Sequence, residues 1–294
     1  MIIAAIDIGS NAARLLINEV KELPNKKTEF TKLNLIRIPL RLGMDVFSKG
    51  KIGEERQGLF IKTMYAFKSI MDIYKVEHYR ACATSAMRDA KNGSELIEII
   101  KETTGIAIEI ISGDEEATLI YENHIAEGLD KDNAYLYIDV GGGSTELTFY
   151  ENNKLKYKKS YNIGTIRMLN GLVLESQWKQ MKEDIKKYFD TDKKIIAIGS
   201  GGNINKVSSM SKTKEGKAIS LSYLKKLYKE IAVMTVAERM EQYHLREDRA
   251  DVLEPALKIY TQVLNWADIS QIYVPKISVA DGLIHNIYEK YKIK

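Results

Sequence analysis

The tetrapeptide Ile6-Asp7-Ile8-Gly9 closes an apolar run at the start of this chain, and Ile138-Asp139-Val140-Gly141 closes another one 132 residues later. A self-similarity at nearly half the chain length predicts two domains of similar fold. Four letters can coincide by chance between two strand ends. Against coincidence, both copies continue into a second strand, Arg14 to Val20 and Glu146 to Tyr150, rather than into a helix. Each copy therefore reads as strand, polar turn, strand.

The second copy is the richer one. It runs Tyr135-Leu136-Tyr137-Ile138-Asp139-Val140-Gly141-Gly142-Gly143-Ser144-Thr145-Glu146-Leu147. Three consecutive glycines lose more backbone entropy than other residues, so they mark a tight turn or a close approach to a ligand. Successive backbone N–H groups in such a turn form a concavity for anions. The flanking carboxylates, Asp139 and Glu146, repel a bare phosphate. They make sense with a divalent cation between them and the phosphate oxygens. The stretch reads as a phosphate cradle with a metal clamp, for Mg2+ or another divalent cation.

Composition bounds the rest. The 294 residues suffice for two medium domains, and 44 basic against 40 acidic residues give a charge of +4, too mild for a nucleic-acid protein. That balance suits an acidic substrate, and equally an ordinary solvated surface. Cys82 is the single cysteine, which excludes a disulfide framework and fits a reducing, cytoplasmic setting. The N-terminus lacks a basic leader region, and no apolar run approaches the ~20 residues of a membrane helix. Neither nucleic acid nor membrane is expected as a partner; a homodimer is allowed.

The periodicity predicts strands at Ile2 to Ile8, Arg14 to Val20 and Leu35 to Leu42, with a hairpin tip in Lys21 to Lys32 around Pro24 and Asn25. A helix is expected over Glu54 to Tyr74, a strand over His78 to Ala83, and a helix capped by Ser94 that stops at Gly105. After a strand at Ile106 to Ile111, Ser112-Gly113-Asp114-Glu115 matches a capping box opening a helix to about Gly128. The second half repeats the order, with strands at Tyr135 to Val140, Glu146 to Tyr150 and Lys154 to Ser160. Helices follow at Thr165 to Leu174 and Ser176 to Phe189, and a strand at Lys194 to Ile198. Further helices cover Ser222 to Met234, a capping box at Thr235 and Glu238, and Asp248 to Ala267 with Pro255 as kink or start. A strand at Gln271 to Val274 and a helix at Ser278 to Lys292 end the chain. The domains are expected at 1–128 and 129–294, joined between Ala126 and Asn133, with the last helix packing back on the first domain.

Three loops follow strand ends and are rich in small and polar residues: Asp7-Ile8-Gly9-Ser10-Asn11, Asp139 to Thr145, and Gly199-Ser200-Gly201-Gly202-Asn203. One such loop is often only a turn. Two in matching repeat positions and a third besides point to facing phosphate loops around a cleft. Glu115 and Glu116 open one helix but point about a hundred degrees apart. Glu115 occupies the capping position. Glu116 is free to face a cleft as a base for water, or merely favours the helix dipole as its neighbour does. Arg88 after Thr84-Ser85, and Arg167 after Gly164-Thr165, carry the planar fork that suits phosphate, or make surface ion pairs. The chain has no GxxxxGK[ST], GxSxG, HExxH or GxGxxG motif, and Lys179 to Lys187 reads as a solvated helix face.

Taken together, these blocks resemble the actin, Hsp70 and sugar-kinase superfamily. More specifically, four blocks resemble the exopolyphosphatase and guanosine pentaphosphate phosphohydrolase family: Ala5 to Asn11, Ala83 to Ala90, Ile111-Ser112-Gly113-Asp114-Glu115-Glu116-Ala117, and Ile138 to Leu147. With Arg249-Ala250-Asp251 they stand in the family's order along almost the whole chain. The resemblance implies an α/β fold of two similar ribonuclease H-like (actin/Hsp70-type) domains with an interdomain cleft. It implies Glu116 as the base for the attacking water and Asp139 and Glu146 as magnesium ligands. Asp7, Gly9, Ser10, Asn11, Arg88 and the Gly141, Gly142, Gly143, Ser144 backbone would line the phosphate chain. Gly201 and Gly202 belong to a loop that holds a nucleotide in relatives of the superfamily.

The chain departs from the family pattern in two places. Ala12 and Ala13 stand where a hydroxyl is common, and Val279-Ala280-Asp281-Gly282-Leu283 lacks an arginine often present there, so one possible phosphate ligand is missing. Longer members add helical C-terminal domains, so processive handling of a long polymer is not expected. The expected reaction is release of terminal orthophosphate from inorganic polyphosphate, with guanosine pentaphosphate as the alternative substrate. A phosphotransferase of the same superfamily would use an acceptor and leave the double glutamate without a purpose. A non-catalytic nucleotide-binding protein would release no orthophosphate.

Overall fold

The computed structural model describes residues 1–23, 28–125, 130, 132–152, 154–211, 213–214, 216–275 and 278–292, with side chains throughout except at 120–125. The chain divides into two compact units, Met1–Asn123 with Ser278–Lys294, and His124–Ile277.

The first unit opens with β1 (Ile2–Ile8), β2 (Ala13–Glu22) and β3 (Thr28–Ile38). Then come α1 (Leu42–Lys49), α2 (Glu54–Ile73), β4 (His78–Ala83), α3 (Ser85–Asp89), α4 (Gly93–Thr104), β5 (Ile108–Ile110) and α5 (Gly113–Ile125). β1 is apolar on both faces and almost wholly buried, as befits a central strand. It pairs antiparallel with β2 and parallel with β4, and the sheet order is β3-β2-β1-β4-β5. Phe60, Met64, Phe67 and Met71, at helical spacing on α2, are buried in the core with Ile6, Ile8, Leu15 and Leu96.

The second unit contains β6 (Asn133–Val140), β7 (Thr145–Glu151), β8 (Lys154–Tyr161), α6 (Thr165–Leu169), α7 (Glu175–Tyr188), β9 (Lys194–Ser200) and α8 (Gly202–Met210). It continues with β10 (Ile219–Ser220), α9 (Leu221–Ala232), α10 (Val236–Tyr243), α11 (Glu247–Trp266) and β11 (Gln271–Tyr273). Its sheet order, β8-β7-β6-β9-β11 with β10 at the edge, reproduces the first in the same directions. The expectation of two similar α/β domains therefore holds. α12 (Val279–Lys292) returns to the first unit and packs on β1, β2 and β4. Gly282 is pressed against α5: a Cβ there would stand 2.1 Å from the Leu119 carbonyl oxygen. Among the described residues no helix is long and apolar enough to cross a membrane.

Several local readings needed correction. The strand expected at Leu35 to Leu42 is the end of β3, and the chain turns at Arg41 (φ 52°) into α1, a helix the periodicity did not reveal. Ser94 is no cap, because α4 begins at Gly93 and the Asn92 side chain instead bonds the Ile52 main chain. The helix expected over Thr165 to Leu174 stops at Leu169, and the turn that follows includes Gly171 at φ 65°. Pro255 lies inside α11. The Thr235–Glu238 capping box is present. The Pro24–Asn25 tip, the end of the α5 helix near Gly128, and most of the joint at 126–131 lie outside the described residues.

Candidate functional site

In the second unit the triple-glycine turn joins β6 to β7, and the Gly141 N–H donates to the Ser144 carbonyl at 2.9 Å. The carbonyls of the turn face one clamp. Thr165 N–H reaches Gly141 O at 3.0 Å, Ile166 N–H reaches Gly142 O at 2.8 Å, and Arg167 Nε donates to Gly143 O at 2.7 Å. A trans peptide sets its C=O and N–H on opposite sides. With three successive carbonyls turned to the clamp, the N–H groups of Gly142, Gly143 and Ser144 turn away from it together, which is the geometry of an anion nest. Gly164 makes this approach possible, since a Cβ there would lie 2.4 Å from the Gly143 carbonyl carbon.

Asp139 and Glu146 stand directly opposite each other across the β6–β7 pair. Like charges in that relation are destabilising; unit charges 4 Å apart repel by roughly 4 kcal/mol at an effective dielectric of 20. Glu146 is buried, and Ser160, its neighbour on β8, donates its hydroxyl to Glu146 Oε1 at 2.7 Å.

The third loop closes on the same acid. Ser200 stands opposite Asp139 across the parallel β6–β9 pair. Gly201 follows in the left-handed region (φ 92°), and a Cβ on it would fall 2.5 Å from Asp139 Oδ1. Only glycine leaves room for that carboxylate. Ser200 is buried, and its hydroxyl has no hydrogen-bond partner among the described residues. Tyr260 of α11 donates its hydroxyl to the Ser200 carbonyl at 2.9 Å. Burial, followed by the charges of Asp139 and Glu146, pushes its phenol well above the ordinary range, so it stays a neutral donor. Gly202 opens α8, and Asn203 Nδ2 donates to the Val140 carbonyl at 3.3 Å.

The first unit builds the same turn. Gly9 N–H donates to Ala12 O at 3.0 Å, and a clamp takes the next two carbonyls, Gly43 N–H on Ser10 O at 2.9 Å and Arg41 N–H on Asn11 O at 3.0 Å. By the same peptide geometry the Asn11 and Ala12 N–H groups turn away from the clamp. The side chains differ, however. Asp7 stands opposite Arg14, and the guanidinium donates to Asp7 Oδ2 at 2.5 Å. Ser10 Oγ and Ser85 Oγ share a buried hydrogen bond of 2.8 Å.

At the α5 start of that unit, Ser112 Oγ accepts from the Glu115 N–H at 3.1 Å, which is one half of the expected capping box. The Glu115 carboxylate pairs instead with Arg80 at 2.7 Å. Glu116 is almost fully buried. Arg88 donates to the Ile111 carbonyl at 2.6 Å and lies 3.5 Å from Glu116 Oε2. Arg88 and Glu116, placed 28 residues apart in the chain, thus stand together, as do Ser10 and Ser85. Cys82, opposite Asp7 on β4, is buried, and desolvation first of all pushes its thiol up to about 12, so it is inert at neutral pH.

Arg14, Gly164 and Tyr260 are assigned no site role by the sequence, and Ser200 enters there only as a member of the third glycine loop. Arg14 was findable: the offset that maps Asp7 onto Asp139 also maps Arg14 onto Glu146. Gly164 and Tyr260 act through contacts distant in the chain and leave no local signal, while the Ser200 loop is visible but not the part of its hydroxyl.

Two features test whether a divalent cation fits the second unit. Asp139, Glu146, Ser160 and Ser200 supply only oxygen donors, as a hard cation requires. The unpartnered Ser200 hydroxyl and the recess that Gly201 leaves for the Asp139 carboxylate lie on the same strand ends. The residues fit the ion.

The chain is similar to known proteins along most of its length. The model of the Ppx/GppA phosphatase family matches residues 21–291. A guanosine-5'-triphosphate,3'-diphosphate pyrophosphatase of Vibrio cholerae is 25% identical over 97% of this chain and 59% of its own length. A bifunctional 3-dehydroquinate synthase/phosphatase of Fusobacterium nucleatum is 33% identical over 62% of this chain and 28% of its own. The chain therefore spans less than two thirds of the length of these curated relatives. Among solved structures, an exopolyphosphatase from Cytophaga hutchinsonii superposes with a TM-score of 0.86 at 26% identity, covering 99% of this chain and 98% of that one. An Aquifex aeolicus Ppx/GppA protein gives 0.76 at 24% identity, covering 99% of both chains. The chain belongs to the Ppx/GppA phosphatase family.

Proposed function

We propose that this protein hydrolyses phosphoanhydride bonds, releasing terminal orthophosphate from inorganic polyphosphate in the cytoplasm. The observation that carries the reading is the facing pair Asp139 and Glu146 on either side of a glycine turn whose amides point one way, in a Ppx/GppA chain. Two acids beside an anion nest call for a cation, and Asp139 and Glu146 would hold it. Such an ion, magnesium or another divalent metal, would supply charge stabilisation for the transferred phosphoryl group.

The chain's own residues do the rest. The Gly142, Gly143 and Ser144 amides hydrogen-bond the phosphoryl oxygens, with the Asn11 and Ala12 amides and Arg88 as further donors. Asp7 is neutralised by Arg14 and so tolerates an anion beside it. Gly9 shapes the first turn and Ser10 lines it. Gly201 and Gly202 line the third loop. The Glu116 carboxylate takes a proton from water as the water oxygen bonds to the terminal phosphorus. The bridging P–O bond breaks, and its electron pair leaves on the shortened chain. Arg88 holds Glu116 in place. This reading requires Glu116 and the Asp139–Glu146 pair to serve one phosphoryl group.

Orthophosphate release from short polyphosphate, long polyphosphate, guanosine pentaphosphate and ATP, measured side by side with Mg2+, tests it. Release from polyphosphate is expected, with a loss of about 10²–10⁴-fold in Glu116→Gln. Unchanged release by Glu116→Gln would remove the assigned base. The Vibrio cholerae relative, matched along 97% of this chain, favours guanosine pentaphosphate as a second substrate.

A further inference from the structure

We infer that the Ser200 hydroxyl belongs to the coordination shell of the divalent cation held by Asp139 and Glu146. The inference rests on the cation reading above and concerns the second unit alone. Ser200 is 1% exposed, yet its Oγ meets no hydrogen-bond partner among the described residues. A buried hydroxyl without a partner is an exception that calls for a cause. Its position supplies one. Ser200 is the β9 residue opposite Asp139, and the next residue is kept as glycine by Asp139 Oδ1, 2.5 Å from where a Cβ would stand. The Asp139 carboxylate therefore lies against the Ser200–Gly201 segment.

The backbone there is held firmly. The Tyr260 hydroxyl bonds the Ser200 carbonyl at 2.9 Å and reaches towards Ile138 O at 3.5 Å, tying the ends of β9 and β6 together. Ser160 already orients the other acid, through its 2.7 Å bond to Glu146 Oε1. Of the two hydroxyls opposite these acids, one is committed to a carboxylate and one is not. A neutral oxygen beside two carboxylates is what a hard cation still needs once the acids have balanced its charge.

The test compares the full chain with Ser200→Ala, Ser200→Cys and Asp139→Asn. Mn2+ and Cd2+ affinities are read by titration calorimetry, and metal-free melting midpoints by circular dichroism. Ser200→Ala is expected to weaken Mn2+ binding about tenfold, within the range for outer and inner ligand losses. Its metal-free midpoint should equal or exceed the wild type, because the lost hydroxyl bonded nothing. Ser200→Cys should shift the Cd2+ to Mn2+ preference at least about tenfold toward Cd2+, since thiolate is a soft ligand. A purely structural serine would give no such shift. Wild-type affinities and preference in both serine variants overturn the inference while leaving the cation reading intact, as does a lowered metal-free midpoint in Ser200→Ala. Wild-type Mn2+ affinity in Asp139→Asn overturns the cation reading itself, and this inference with it.

Discussion

The β1–β2 turn and the β6–β7 turn share a backbone and differ in charge. In both, a glycine N–H closes onto a carbonyl three residues on, and a following segment takes the next carbonyls, 41–43 in one unit and 164–167 in the other. In both, an aspartate ends the first strand. Its opposite neighbour is Arg14 in the first unit and Glu146 in the second. The first aspartate is neutralised by its own sheet; the second is placed beside another acid. Backbone geometry alone makes an anion nest. On the proposed reading, the residue across the strand decides whether the nest works with a built-in cation or recruits one.

The comparison can be broken most directly at the acids. Asp139→Asn and Glu146→Gln should lower phosphate release at least about a hundredfold, because the ion's charge stabilisation is worth several kcal/mol. They should leave the metal-free protein as stable or more so, since they relieve repulsion. Asp7→Asn should do the reverse to stability, lowering it by about 1–3 kcal/mol in urea as Arg14 loses its partner. If the acid-pair variants destabilise the metal-free fold and Asp7→Asn does not, the two turns have been assigned the wrong way round.

The clamps sharpen it next. A Cβ on Gly164 would meet main chain at 2.4 Å, whereas one on Gly43 would meet the movable Phe47 ring at 2.7 Å. Gly164→Ala should therefore cost about 1–3 kcal/mol and displace the nest, lowering phosphate release. Gly43→Ala, inside α1, should be near neutral, because alanine's helix preference offsets the ring shift. Equal costs in urea titrations would mean the two clamps do not differ in the way described.

A smaller effect comes from one buried carboxylate in each unit. Burial works against ionisation of Asp45, but the Gly53 N–H, Lys49 and Arg56 outweigh it. Burial likewise opposes ionisation of Asp184, and Lys159, Tyr161, Tyr157 and Gln180 outweigh it. Both folded values lie below the ordinary 3.8, so their stabilisation is present above that pH. It is lost as pH falls through the folded values, because the unfolded chain protonates first. Asp45→Asn and Asp184→Asn should each be less stable than wild type at pH 7, by a gap that narrows as pH falls below 3.8. A gap that does not narrow in acid would show that packing, not charge, holds these sites. Smallest of all, Thr235→Ala should remove the cap of α10 at about 1 kcal/mol, read by thermal melting, with phosphate release unchanged.

Much of this was legible in the sequence where the signal was local. The repeated strand ends at Asp7 and Asp139 announced the two sheets, and period-two and helical patterns placed most strands and long helices. α1 was missed because its entry depends on a left-handed Arg41 rather than on a cap, and α8 because its opening glycines read as a loop. Among the candidate site residues, Asp139 and Glu146 stood out by residue type and spacing, whereas Glu116 was marked as a base only by the family resemblance. Gly164 and Tyr260 did not, and Ser200 only as part of a glycine loop, because their roles come from segments about 20 to 120 residues away meeting in the fold. Arg14 lay between these cases, visible only once the repeat is followed past the turn to the next strand.

The central claim is that the second turn, and not the first, recruits a divalent cation. Titration of Mn2+ into the wild type, Glu146→Gln and Asp7→Asn proteins, read by calorimetry, tests it most directly. The account predicts one bound ion in the wild type and in Asp7→Asn, and none at comparable affinity in Glu146→Gln. Undiminished binding in Glu146→Gln, or its loss in Asp7→Asn alone, would contradict it.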